Sequence, residues 1–319
     1  MGFFITLIAH GDALPQSAVN DTVALISSLK LNLGDIRKLN SKRAVDFEVD
    51  LDVKSLDDTQ DLEEVVQSIR DALKAVQLQP GLGYDIVFQE DVGRKDRKLF
   101  VFDMDSTLIY QEVIELIAAY ADVESQVAEI TTRAMNGEID FTESLASRVA
   151  LLRGIESETL WEELKHKIEI TNGASELCKG LKALGIKMAV LSGGFLPLAR
   201  YVASELGLDY AYANNLQVEF ENGKEILSGK TCGEIVDGAK KAELLKRIAD
   251  ENEIPYSKAV AVGDGANDLT MMSVAGFGVA WNAKPKVQQQ APGCLNSKSL
   301  KDLFYVLGYS DPEIEKLLG

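Results

Sequence analysis

Two aspartates stand two positions apart in Asp103-Met104-Asp105-Ser106-Thr107, directly after the apolar run Leu99-Phe100-Val101-Phe102. In open α/β sheets ligands bind beyond the carboxyl ends of strands, so a carboxylate pair at this point stands where chemistry belongs. In a loop, carboxylates so spaced can face one small volume, one attacking while the other moves a proton. The competing use of Asp, Ser and Thr here is a helix N-cap. Three further segments bear on the choice. Val190-Leu191 runs into Ser192-Gly193-Gly194, a hydroxyl and flexible amides suited to an oxyanion or phosphate. Lys241, just ahead of a helical segment over residues 242–250, can supply a point positive charge. Ala261-Val262 runs into Gly263-Asp264-Gly265-Ala266-Asn267-Asp268, acidic and with glycines for close approach. Asp103 and Asp264 would then converge as oxygen ligands for Mg²⁺, which takes carboxylates together with waters and substrate phosphate. Taken singly, the three are a turn, a solvated helix charge and a calcium-like loop. The EF-hand spacing is absent, and the joint occurrence favours phosphate chemistry.

The elements that must position these residues follow from periodicity. Apolar strands at residues 98–102, 187–191 and 259–262 alternate with helices, which implies an α/β fold with a doubly wound parallel, Rossmann-like sheet across residues 98–319. Helical sequence runs from Gln111 to about Glu169, interrupted near Asn136-Gly137 and Arg153-Gly154. Residues 218–230, centred on Glu221-Asn222-Gly223-Lys224, read as an inserted hairpin. Ahead of this lies a different pattern. An apolar run at 3–10, a helical period at 13–30, an alternating hairpin at 33–53, an amphipathic helix at 59–76 and a strand at 84–89 give the order β-α-β-β-α-β. That order is the split βαβ, ferredoxin-like arrangement of an α+β domain, placed at residues 1–92. The charged stretch Gly93-Arg94-Lys95-Asp96-Arg97-Lys98 reads as the hinge between the two.

Composition narrows the function classes. At 319 residues the chain suits two domains of roughly 150 residues each. Hydrophobic residues at 46% and charged residues at 26% exclude wholesale disorder, collagen and a disulfide mini-protein. The 33 Lys+Arg against 50 Asp+Glu leave a net charge of −17, which repels nucleic acid and anionic membrane surfaces alike. A phosphate-handling site in such a chain must bring its own cation. Cys178, Cys232 and Cys294 are widely spaced, against a zinc cluster or a disulfide framework. His10 and His166 are too few for a Ser-His-Asp scheme. No apolar run reaches the ~20 residues of a membrane span, and the N-terminus lacks the basic region of a signal peptide. The expected location is cytoplasmic.

The four segments together resemble the motifs of the haloacid dehalogenase superfamily, in order, across about residues 98–290. The stretch between the first two motifs is similar to the small helical cap, here at about 115–172, of its phosphoserine phosphatase family. That resemblance implies Mg²⁺-dependent hydrolysis of O-phospho-L-serine through an aspartyl-phosphate, as the last step of serine biosynthesis. It makes Asp103 the nucleophile and Asp105 the proton donor and acceptor, with Ser192 and Lys241 stabilising the phosphoryl oxygens. Substrate would be held by Glu112, Met135, Phe141, Arg148, Ser192, Gly193, Lys241 and Asn267. Arg148 would grip the carboxylate, for which a guanidinium fork has the right shape. Mg²⁺ would be held by Asp103, the main-chain carbonyl of Asp105 and Asp264, with Asp268 orienting that set from behind. The N-terminal order is similar to ACT-type domains, implying an L-serine feedback ligand or pairing into a homodimer.

Three rival readings are set against this. A phosphotransferase of the same superfamily would pass the group to another alcohol. A P-type ATPase fragment would need a Lys after the nucleophile and a Thr two positions on, where Met104 and Asp105 stand. A non-catalytic amino-acid-binding regulator would not need Asp103, Asp105, Lys241 and Asp264 together.

Overall fold

The structure, a computed structural model, describes residues 2–52, 62–90, 93–135 and 138–319, with only the backbone of Met135. The expected interruption at Asn136-Gly137 and the expected start of the second helix at 59–61 lie outside the described residues. The N-terminal elements are β1 (Gly2–Ala9), α1 (Ala18–Ser28), β2 (Asn32–Asn40), β3 (Ala44–Asp50), α2 (Leu62–Gln77) and β4 (Tyr84–Glu90). The strands form an antiparallel sheet in the order β2-β3-β1-β4, as the ferredoxin-like reading requires. Strand alternation sorts the side chains of β1. Phe3, Ile5 and Leu7 meet Ile26 of α1 and Ile69 and Leu73 of α2. Ile8 turns the other way, joining Leu39, Ala44 and Val87 in the core that also holds Phe304 and Val306. Both faces of this sheet are therefore covered, one by its own helices and one by the C-terminal part of the chain.

In the stretch expected as a charged hinge, Lys95, Asp96 and Lys98 are exposed but two arginines are buried. Arg94 is 4% exposed, donates to both oxygens of buried Asp46 at 2.9 and 2.6 Å, and lies 3.8 Å over the Phe4 ring. Arg97, also buried, donates to the Ser257 carbonyl at 2.6 Å. A guanidinium taken out of water needs such partners, and a planar fork is the cation that best finds them.

The second sheet begins with β5 (Leu99–Phe102). Four helices follow it, α3 (Val113–Tyr120), α4 (Glu124–Met135), α5 (Phe141–Ala150) and α6 (Ser157–Lys165). The alternating part is α7 (Ala174–Ala183), β6 (Lys187–Phe195), α8 (Leu196–Leu206), β7 (Tyr210–Glu221), β8 (Lys224–Cys232), α9 (Gly238–Glu251), β9 (Ala259–Gly263) and α10 (Leu269–Val274). It closes with β10 (Phe277–Trp281), α11 (Pro285–Gln290), β11 (Gly293–Leu295), α12 (Leu303–Val306) and α13 (Asp311–Leu318). Strand order is β11-β10-β9-β5-β6-β7-β8, parallel throughout except for β8. β5 shows why its run reads as wholly apolar: Phe100 and Phe102 enter one core, Leu99 and Val101 the other. The chain leaves β5 toward β6 on one side and reaches β9 on the other, so the crevice of a doubly wound sheet opens at the carboxyl ends of these strands. The inserted hairpin β7–β8 is tied to the helices after β5, since Gly154 N donates to Leu227 O and Leu227 N to Ile155 O. No helix among the described residues is long and apolar enough to cross a membrane.

Candidate active site

Asp103 follows β5 directly, and its amide donates to Val262 O of β9 at 2.9 Å, fixing the loop over the crevice. Ser106 then adopts a left-handed φ of 53°, uncommon for a residue with a Cβ. This sharp turn lets Ser106 Oγ donate to Glu112 Oε1 at 2.6 Å and sets Val113 N against Asp105 Oδ2 at 3.1 Å. The other oxygen of Asp105, Oδ1, is buried with no hydrogen-bond partner. Burial, then the nearby charges of Glu112 and Asp103, push the Asp105 carboxyl well above its ordinary range. That shift favours its protonated form.

Lys241 is expected just ahead of a helix; it lies inside one. Asp237 caps α9 by accepting from Lys240 N at 2.7 Å, which starts the helix at Gly238 and puts Lys241 in its first turns. Its fully buried ammonium lies 2.8 Å from Asp103 Oδ1 and 2.7 Å from Asp268 Oδ1. Burial works against that charge, but the two carboxylates outweigh it and hold the pKa above the usual lysine value. Asp268 uses its second oxygen to accept from Gly265 N at 3.0 Å, bracing the β9 loop. Asp264 is pushed up to about 7 by burial, then by Asp103 and Glu112, and accepts from Thr107 Oγ1 at 3.3 Å.

Oxygens of Asp103, Asp264 and Asp268 lie within 4.8 Å of one another, so the cluster can hold a metal ion. The donors suit a hard divalent cation: they are carboxylate oxygens, the pKa values of Asp264 and Asp268 are raised by burial and then by Asp103, and Asp105, with an unpartnered buried oxygen, lines the same cavity as Asp103 and Asp264.

A cavity of about 190 Å³ is lined by Asp103, Asp105, Glu112, Phe141, Arg148, Ser192, Gly193, Asp264 and Asn267, all expected from sequence. Lys241 and Asp268 lie beneath its floor, fully buried. For Met135, no side chain is described. Ser192 Oγ accepts from Gly194 N at 2.8 Å. Burial lowers the pKa of the Arg148 guanidinium while Glu112 and Asp105 raise it, and Glu112 itself is pushed up, by burial first. A residual cation and a residual carboxylate thus share one partly desolvated space. Gly194 and Gly265 also line it, as do Ile114, Leu145 and Phe195, which escaped sequence reading. Apolar residues of this kind are the commonest filling of any helix or strand, and their spacing carries no chemical signal.

The haloacid dehalogenase-like hydrolase family model matches residues 97–276. The phosphoserine phosphatase of Saccharomyces cerevisiae is 48% identical over 315 residues, 98% of each chain. The chain belongs to the phosphoserine phosphatase family of haloacid dehalogenase-like hydrolases. A solved structure of a phospho-aspartyl intermediate analogue of phosphoserine phosphatase is 41% identical, covers 66% of this chain and 98% of its own, and superposes with a TM-score of 0.59. A HAD family hydrolase of Salmonella enterica serovar Typhi, 26% identical, covers 96% of this chain and 98% of its own at a TM-score of 0.76. The matched residues include both acidic loops, which meet at the carboxyl ends of β5 and β9.

Proposed function

We propose that the protein hydrolyses O-phospho-L-serine to L-serine and phosphate through an aspartyl-phosphate on Asp103. The observation that supports this most is the convergence, in one cavity, of Asp103, Asp105 and Ser192 with Glu112 and Arg148. A ligand bearing a phosphate, an ammonium and a carboxylate matches that distribution; sugar phosphates would leave Glu112 without a cationic partner. Asp103, held by Lys241, attacks phosphorus in line. Asp105, whose carboxyl burial shifts toward the protonated form, donates to the departing serine oxygen and afterwards takes the proton of the water that opens the acyl phosphate. Ser192, Gly193 and Lys241 oppose the charge spread over the phosphoryl oxygens. Asn267 hydrogen-bonds the substrate, Glu112 takes its ammonium, Arg148 takes its carboxylate, and Phe141 packs around it. Asp103, Asp264 and the main-chain carbonyl of Asp105 would hold Mg²⁺, with Asp268 behind; when bound, the ion screens the repulsion between carboxylate and phosphate.

The N-terminal unit is proposed, from its topology, to sense L-serine as a feedback ligand. Lack of L-serine binding to the intact protein in calorimetry would leave homodimer formation as its use. A cytoplasmic location fits the proposed role in serine biosynthesis. The catalytic proposal is tested by phosphate release from O-phospho-L-serine with Mg²⁺, with EDTA, and in Asp103→Asn. Metal-dependent release that vanishes in the variant is expected. Full activity in Asp103→Asn would overturn the assignment of the nucleophile, and no release by folded wild-type protein would overturn the substrate.

A further inference from the structure

The parallel ladder between β6 and β7 breaks where it meets the site. Leu191 pairs with Tyr212, but the next pair is Phe195 with Asn214, so Ser192, Gly193 and Gly194 bulge out of register. A bulge leaves backbone groups without ladder partners, and buried ones must find others. Asn214, on β7 and fully buried, supplies one: its Nδ2 donates to Gly193 O at 2.8 Å. Its Oδ1 accepts from Val236 N, also at 2.8 Å. The amide can be oriented in only this way, because Val236 N can only donate and Gly193 O can only accept.

The peptide joining Gly193 to Gly194 is thereby held at both ends. Its carbonyl is fixed by Asn214, and its N–H is accepted by Ser192 Oγ at 2.8 Å. A serine hydroxyl has one proton and two lone pairs. With a lone pair committed to Gly194 N–H, the proton of Ser192 is free to point into the cavity. The same peptide is confined on its other side, since a Cβ on Gly194 would come within 3.3 Å of Met104 Cε and 3.5 Å of Asp105 Oδ2. The second bond of Asn214 ties this loop to Val236, next to Asp237, the cap of the helix that carries Lys241.

We propose that Asn214 is a positioning residue that acts through the Gly193–Gly194 peptide to aim the Ser192 hydroxyl at the phosphoryl group. The inference rests on the reading of Ser192 as a donor to the phosphoryl oxygens. The test is a double-mutant cycle on the Mg²⁺-loaded full-length protein, with kcat and KM for O-phospho-L-serine as readouts. Asn214→Leu keeps the branched shape, somewhat larger, without either hydrogen bond, and Asn214→Ser is made beside it as the smaller, polar replacement; thermal melting confirms that each is folded. In the wild-type background the expected loss is about 10- to 100-fold in kcat with KM nearly unchanged, the size typical of a misdirected transition-state donor. In a Ser192→Ala background the same substitution should cost almost nothing more, because the group it positions is gone. Equal losses in both backgrounds, or no loss in the wild-type background, would overturn the role of Asn214 while leaving that of Ser192 intact. Wild-type turnover by Ser192→Ala would instead overturn the reading of Ser192, and the inference with it.

Discussion

Lys241 sits between Asp103 and Asp268 with no exposure to solvent, so its charge and theirs compensate one another. Removing one member of a buried ionic group costs about 3–5 kcal/mol, because the rest stay buried without a partner. Lys241→Met is therefore expected to lower the unfolding midpoint as well as to abolish turnover. An unchanged midpoint by circular dichroism would contradict the compensation. Arg148 is expected to act on binding. A charge-assisted hydrogen bond contributes about 1.5–3 kcal/mol, so Arg148→Lys, which keeps the charge and loses the fork, should raise KM for phosphoserine by about tenfold or more. With phosphoethanolamine, which has no carboxylate, the same variant should show little change; an equal loss on both substrates would exclude carboxylate binding. The convergence of Asp103, Asp105 and Asp264 was legible because acidic residues directly after apolar strands of a parallel sheet must meet at its carboxyl end. Asn214 was not legible. Its role depends on a broken ladder, which only the paired strands show.

Helix α5 presents Phe141, Leu145 and Arg148 on one side, and its start is set by a capping box in which Asp140 accepts from Glu143 N at 2.8 Å and Glu143 accepts from Asp140 N at 3.1 Å. Losing such a cap costs about 1 kcal/mol. Asp140→Ala is expected to raise KM a few-fold with little effect on kcat, because fraying the first turn loosens Phe141 before it reaches Arg148; an unaltered KM would show the helix to be held by packing alone. The N-terminal order was legible from alternation and amphipathic period, since each element there is long enough to show one. β10, β11 and α12 were not identified. β11 spans three residues and α12 four, too short for any period to emerge. The charged stretch at 93–98 misled for a different reason: its density of cations resembles a solvated linker, and the partner that buries Arg94 is Asp46, far away in sequence.

Across the whole molecule, the two sheets are joined at edges and through the Arg94–Asp46 pair. β4 packs beside β11, and Asp85 of β4 accepts from Asn296 N and Nδ2 at 2.6 and 2.8 Å. Cys294 of β11 lies at this junction, lining a cavity with Arg70 and Lys74 of α2, and its thiol is pushed up to about 12, by burial first. Cys178, buried in the other part of the core, is pushed up to about 12 by burial, whereas Cys232 is exposed. At pH 8 a thiol reagent is expected to modify Cys232 and spare the other two. Arg94→Leu should add Cys294 to the reactive set, because loosening the N-terminal sheet uncovers β11, which packs beside β4. Protection of Cys294 in that variant would show the docking not to depend on the ion pair. Above all of these stands the covalent step, which the crevice between β5 and β9 is built to perform. Acid quenching during turnover of O-[³²P]phospho-L-serine, followed by peptide mapping, reads it directly. Label on the peptide containing Asp103, released by hydroxylamine as an acyl phosphate is, is the expected result. Phosphate release with no labelled peptide at any time point would contradict the covalent route.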